Sequence, residues 1–129
     1  MTREIKIPGP DHPITIEPTQ ARVVVGVDGV IIADSTTALT LQESTYPAVQ
    51  YIPLADVKPE LLRRTDTSTY CPFKGDASYY SLALPDGTEL TDVIWTYEQP
   101  FDAVAPIAGH VAFYTDKVEM VVIDEVAVK

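Results

Sequence analysis

The chain has 129 residues, the size of one domain, and a domain of this length buries roughly two-thirds of its unfolded surface. Nine basic residues against nineteen acidic ones give a net charge of −10, a surface that repels phosphate backbones and anionic lipid, so neither nucleic acid nor a membrane is an expected partner. Apolar runs are strand-length, the opening "MTREIKIPGP" carries no apolar signal segment, and a single cysteine forbids an internal disulfide, so a cytoplasmic protein is expected.

The Pro-rich "PGPDHP" (Pro8–Pro13) reads as a stiff lead-in. In "ARVVVGVDGVIIADS" the Asp28-Gly29 pair separates two β-branched runs, a strong hairpin signal in which glycine supplies positive φ. Leu39–Glu43 and Val49–Ile52 are the next strand candidates. "KPELLRR" (Lys58–Arg64) has the look of one or two helical turns, with Pro59 near the first helical position. Ala77–Leu84 and Val93–Tyr97 flank a second Asp-Gly pair, Asp86-Gly87. A turn can start at Asp102, but Pro106 prevents a long helix. His110–Tyr114 and Lys117–Ile123 flank Thr115-Asp116, a third tight connection. Valine, isoleucine, threonine and aromatics fill these runs, and most of the eleven prolines fall between them. The expectation is one all-β domain over residues 1–129, with about eight or nine strands.

Side chains alternate across a strand. Ala77, Tyr79, Ser81 and Ala83 are expected on one face, with Ser78, Tyr80, Leu82 and Leu84 on the other. Val93, Trp95 and Tyr97 form a bulky set, and Val111 and Phe113 oppose Ala112 and Tyr114. Such aromatic stripes suit a core, yet each of seven tyrosines also brings a hydroxyl that needs a partner, which a tyrosine-lined cleft supplies.

Metal chemistry lacks its ligands. Cys71, His12 and His110 show no paired spacing, and no D-x-D-x-D-G loop is present, so no metal and no cofactor is expected. Phosphate-binding glycine loops and the G-x-S-x-G elbow are also missing. What remains is "TYCPFKGDASYYSL" (Thr69–Leu82), which holds the only cysteine. Pro72 keeps Cys71 extended, so the chain bends just after it and leads into the Tyr79-Tyr80 strand. Lys74 is expected at the rim of a cleft, because an unpaired buried ammonium costs too much. A neighbouring cation favours the thiolate, and His110 is a candidate base; buried cysteine is equally at home as a small hydrophobe.

These residues carry a resemblance. "TYCPFKGDASYYSL", with "YPAVQYIP" before it and "VIWTYEQPFDAVAPIAGHVAFY" after it, resembles the small bacterial and fungal family catalogued as domain of unknown function four-two-seven, and the likeness covers nearly the whole chain. Members are sometimes labelled nucleotidyltransferase-like, but the glycine-serine motif and paired aspartates of such enzymes are missing here. The resemblance implies a β-tent (Mss4-like) architecture, shared with methionine sulfoxide reductases of the B type and the cereblon drug-binding domain. Most of those hold zinc through two C-x-x-C knuckles that this chain lacks. It further implies a cleft on one sheet drawing on Tyr51, Cys71, Lys74, Tyr80, Trp95 and Tyr97, with Cys71, Lys74 and Gly75 as a unit.

Three functions follow from these features. The first is a β domain that binds a small molecule or peptide in an aromatic cleft edged by Cys71 and Lys74. The second is a thiol-dependent enzyme using Cys71, activated by Lys74 or His110. The third is a protein-interaction module.

Overall fold

A computed structural model describes residues 4–123. Among them run ten strands: β1 (Ile14–Pro18), β2 (Arg22–Val27), β3 (Val30–Ser35), β4 (Leu39–Glu43), β5 (Val49–Pro53), β6 (Leu62–Cys71), β7 (Gly75–Ala83), β8 (Glu89–Thr96), β9 (His110–Phe113) and β10 (Glu119–Ile123). Helical structure among these residues is limited to 3-10 turns at Leu54–Asp56, Pro59–Leu61 and Asp102–Ile107. Every strand pairing is antiparallel, and the strands form a seven-stranded sheet, β1-β4-β5-β9-β8-β7-β6, and a three-stranded sheet, β10-β2-β3. The fold is all-β.

Both Asp-Gly pairs sit in hairpins, between β2 and β3 and between β7 and β8. Asp28 and Gly29 have φ of 49° and 82°, the left-handed pair that matches the twist of a two-residue hairpin. Gly87 has φ of 91°, and the Asp86 carboxylate accepts the Thr88 amide at 2.9 Å. A Cβ on Gly29 would meet nothing within 4 Å, so any cost of substitution there comes from the backbone alone. Gly29→Val is expected to lower stability by about 1–3 kcal/mol, read from the midpoint of urea unfolding. Gly29→Asn should cost much less, and an unchanged midpoint for valine would refute the turn assignment.

The three-stranded sheet covers one face of the larger sheet. Val23, Val25 and Ile32 meet Ile52, Leu82, Ile94 and Val111 in a core between the two. A bridge between Ala33 and Val57 and the Lys58 N–H bond to Ile32 O (2.9 Å) tie the small sheet to the connection after β5. The other face of the large sheet carries a second cluster. Leu41, Tyr51, Ala77, Tyr79, Tyr97 and Ala112 pack there with Val104 and Ile107 from the last 3-10 turn. Consecutive residues therefore serve opposite faces: Ile52 and Tyr51, Ile94 and Trp95, Val111 and Ala112.

Several expectations need correction. Lys58–Arg64 holds a 3-10 turn only at Pro59–Leu61, after which the chain enters the ten-residue β6. β1 and β6 are the two edges of the large sheet, and neither was among the expected strands. Thr115-Asp116 lies in the tight turn expected of it, with Lys117 N–H bonded to Tyr114 O at 3.0 Å, and that turn joins the two sheets: β9 stays in the large sheet and β10 pairs with β2. Val93 joins Ile94 in the core between the sheets and parts from Trp95 and Tyr97. The register shifts between Tyr80 and Leu82, and across from it Asp92 has φ of 50° and donates its N–H to Ser81 Oγ; a bulge of this kind resets the alternation.

Candidate functional site

The Cys71–Gly75 stretch is the tip of the β6–β7 hairpin. Cys71 and Gly75 are the last register pair, and the loop is Pro72-Phe73-Lys74. The Lys74 N–H bonds to Cys71 O at 3.2 Å, and Lys74 O accepts the Phe101 N–H at 3.0 Å. Gly75 turns the chain with φ of 111°, where an added Cβ would lie 3.5 Å from Gln99 O and against the Phe101 ring. Held from both sides, Lys74 points its side chain inward.

Its ammonium is buried and paired, not solvated at a rim. Lys74 Nζ donates to Glu43 Oε1 at 2.5 Å, and the two side chains are 10% and 15% exposed. Glu43 Oε2 is 2.7 Å from His12 Nε2, and the His12 ring lies flat on Phe73 at 4.1 Å between centroids. Lys74 Nζ also lies 3.6 Å from Cys71 Sγ and 5.9 Å from the Tyr97 ring centre. The expectation assumed that no carboxylate was within reach, and β4 brings one. Burial alone pushes the Glu43 carboxyl up, but the hydrogen bonds and charges of Lys74 and His12 outweigh it and hold it below its ordinary value.

Beside this ion pair opens a cavity of about 670 Å³ whose walls include Tyr51, Tyr79, Trp95, Tyr97 and Tyr114, with Tyr46 at the opening. The indole N–H of Trp95 donates to the Tyr51 hydroxyl at 3.2 Å. The Trp95 and Tyr114 rings pack directly on each other, 4.6 Å between centres with their planes 50° apart. The Tyr79 hydroxyl is 2.9 Å from Thr69 Oγ1. Burial raises the Tyr51 phenol to about 12, offset in part by the Trp95 hydrogen bond, and burial raises Tyr97 further. Both phenols are therefore neutral near pH 7 and able to donate. Asp116, on the turn after Tyr114, completes the polar part of the wall.

The sequence-predicted residues divide. Tyr51, Lys74, Trp95 and Tyr97 come together on the cavity wall. Cys71 lies behind Lys74 and packs against the same cluster of side chains. Gly75 faces Gln99 and Phe101, not the cavity. Tyr80 is on the opposite face, packed on the core between the sheets with the Arg64 guanidinium 5.7 Å from its ring centre. His110 is at the start of β9 with Nδ1 2.9 Å from Ala108 O, and is not part of the cavity wall.

Sequence reasoning missed Glu43, Tyr46, Tyr79, Tyr114 and Asp116 as cavity residues, and His12 as the second partner of Glu43. For Glu43 a signal existed: Leu39, Leu41 and Glu43 share a face at period two, which puts a carboxylate on an apolar stripe. His12 gave none, since only the fold carries it to residue 43.

The arrangement limits the chemistry. Among the described residues the one polar side chain bonded to Cys71 Sγ is an ammonium, which has no lone pair to take the thiol proton. Among the described residues no group of three or more His, Cys, Asp or Glu side chains is placed to hold a metal ion, and no helix is long and apolar enough to cross a membrane.

Comparison with known proteins finds one family: the model for "Domain of unknown function (DUF427)" matches residues 15–124. A search of curated proteins returns no match. The chain belongs to the DUF427 family.

Proposed function

We propose that the chain binds a small molecule in the aromatic cavity on the open face of its seven-stranded sheet. The observation that carries this reading is the cavity itself. At about 670 Å³ it falls within the usual range of small-ligand sites, which are largely apolar with a few fixed polar groups. Here the apolar surface is largely aromatic, with Leu41 and Val49 beside the rings, and the polar groups include the Glu43–Lys74 pair and the hydroxyls of Tyr51 and Tyr97. The Tyr51 hydroxyl accepts from Trp95 and still has its own hydrogen to offer a ligand.

Trp95 is the only tryptophan in the chain, so its emission reports on the cavity without labelling. A screen of small polar and aromatic fragments should yield compounds that shift Trp95 emission and raise the unfolding midpoint by mass action. Tyr97→Phe should weaken those that carry a hydrogen-bond acceptor. A screen in which no fragment moves the emission would sink the reading.

The thiol-dependent alternative makes an opposite demand on Cys71. With an ammonium as its bonded side chain and, among the described residues, no base bonded to it, native protein should alkylate slowly at neutral pH. Rapid alkylation that Lys74→Met slows would put the enzyme reading ahead of binding.

A further inference from the structure

We infer that the ligand of this cavity presents a neutral hydrogen-bond acceptor, a carbonyl oxygen on an otherwise apolar body, to the donor cluster of Tyr97, Tyr51 and Lys74. This rests on the small-molecule reading above and adds the chemical class of what is bound. The observation that carries it is an unused donor. Tyr97 is 8% exposed, yet its hydroxyl has no hydrogen-bond partner among the described residues. No sealed side-chain oxygen or nitrogen among those residues lacks a partner, so this hydroxyl is open, and the space beside it is the cavity that Tyr97 lines. A hydroxyl withdrawn this far from bulk solvent calls for an acceptor.

Two more donors stand with it. The Tyr51 hydroxyl accepts the Trp95 N–H at 3.2 Å, and its own hydrogen has no acceptor among the described residues. Lys74 Nζ donates to Glu43 Oε1 at 2.5 Å and to Cys71 Sγ at 3.6 Å, which leaves a third N–H. Lys74 Nζ lies 5.9 Å from the Tyr97 ring centre, and Glu43 and Cys71 act on both phenols to raise them, so the three donors gather at one place. The acceptors there are already engaged: Glu43 Oε1 by Lys74, and Glu43 Oε2 by His12 at 2.7 Å. Around the cluster the wall is apolar, with Leu41, Val49 and Trp95.

Charge selects among acceptors. Lys74 is balanced by Glu43, and Asp116 adds a second carboxylate to the wall. An anionic ligand would bring a third negative group to a cavity with one ammonium, and the net charge of −10 opposes its approach. A neutral carbonyl meets two of the three donors through its two lone pairs and adds no charge.

The test uses three probes of one shape: acetophenone, the alkene in which a methylene group replaces its carbonyl oxygen, and benzoate. Each is titrated into the whole chain and followed by calorimetry and by the indole N–H resonance of Trp95, the only tryptophan. Acetophenone is expected to bind about tenfold more tightly than the alkene, which would leave the donors unpaired, and benzoate more weakly than acetophenone. Tyr97→Phe deletes a hydroxyl that bonds nothing else among the described residues. It should leave the urea midpoint unchanged, cut acetophenone affinity by about tenfold and leave that of the alkene alone. Equal binding of acetophenone and alkene overturns the acceptor assignment and leaves the small-molecule reading standing. Benzoate binding more tightly than acetophenone overturns the neutral class. A Tyr97→Phe variant that keeps the parent's preference for ketone over alkene also overturns the proposal. If none of the three probes binds while fragments from the wider screen do, the carbonyl assignment fails alone; if those fragments fail as well, both fall.

Discussion

Glu43→Gln is expected to destabilise the fold by about 2 kcal/mol, because it leaves the Lys74 ammonium nearly buried with no countercharge. Removing one partner of a fully buried pair costs roughly 3–5 kcal/mol. The lower figure applies because this pair borders a cavity that admits water. The double variant Glu43→Leu, Lys74→Met should recover most of the loss, since it removes both charges and keeps apolar volume. A double variant as unstable as the single would show that the pair is not energetically coupled.

The same carboxylate sets a pH dependence. The Glu43 carboxyl in the fold lies below its ordinary value of 4.5. A group depressed on folding contributes stability that is fully present above its unfolded pKa and is lost as pH falls through its folded one. The parent should therefore lose this increment on acidification below 4.5, and Glu43→Gln should show a shallower acid limb over the same window. Urea midpoints measured down through that range check the sign.

Ile94→Ala is expected to cost about 3 kcal/mol, within the range of large-to-small changes in a closed core. Ile94 is 0% exposed and stands between the two sheets with Leu82, Val111 and Phe113. Its neighbour Trp95 faces the cavity, so a fragment that shifts Trp95 emission in the parent should shift it to the same extent in Ile94→Ala at a temperature where the variant is folded. A stability loss below about 1 kcal/mol would mean that the inter-sheet core is not closed there.

Strands in the middle of the sheets were legible because burial on one face writes a period of two into the sequence. Leu39–Glu43 and Val49–Ile52 lie within a residue of β4 and β5. The edge strands were not. β6 reads "LRRTDTSTYC", with most of its side chains exposed, and its order comes from pairing with β7, which no local pattern records. β1 alternates Ile14 and Ile16 with polar residues, but its flanking prolines read as a lead-in. The split of Val93 from Trp95 depends on a bulge at Asp92 in β8, opposite Ser81, a backbone feature with no side-chain signature.

For the cavity, the aromatics and Lys74 were visible because tyrosine, tryptophan and a lysine at a hairpin tip are unusual where they fall. The ion pair was invisible in all but one respect. Residues 12, 43 and 74 meet only through sheet order, and the sole local hint was an acid in line with two leucines. Tyr80 misled for a related reason: adjacent to Tyr79 in sequence, it differs from it by one step of the pleat and so lies on the far side of the sheet.

The small sheet has a consequence for how the molecule comes into being. Its β2–β3 hairpin is local and can close within microseconds once both strands exist. Its third strand comes from the opposite end of the chain: Val121 pairs with Val24. During synthesis β2 must therefore wait with one edge bare until the strands between it and β10 have been made. Long-range pairings of this kind slow folding and leave an apolar, valine-rich edge open to other chains in the interval. Val23 and Val25 are fully buried once the structure is complete, so the late arrival of β10 is the step that closes the window for aggregation.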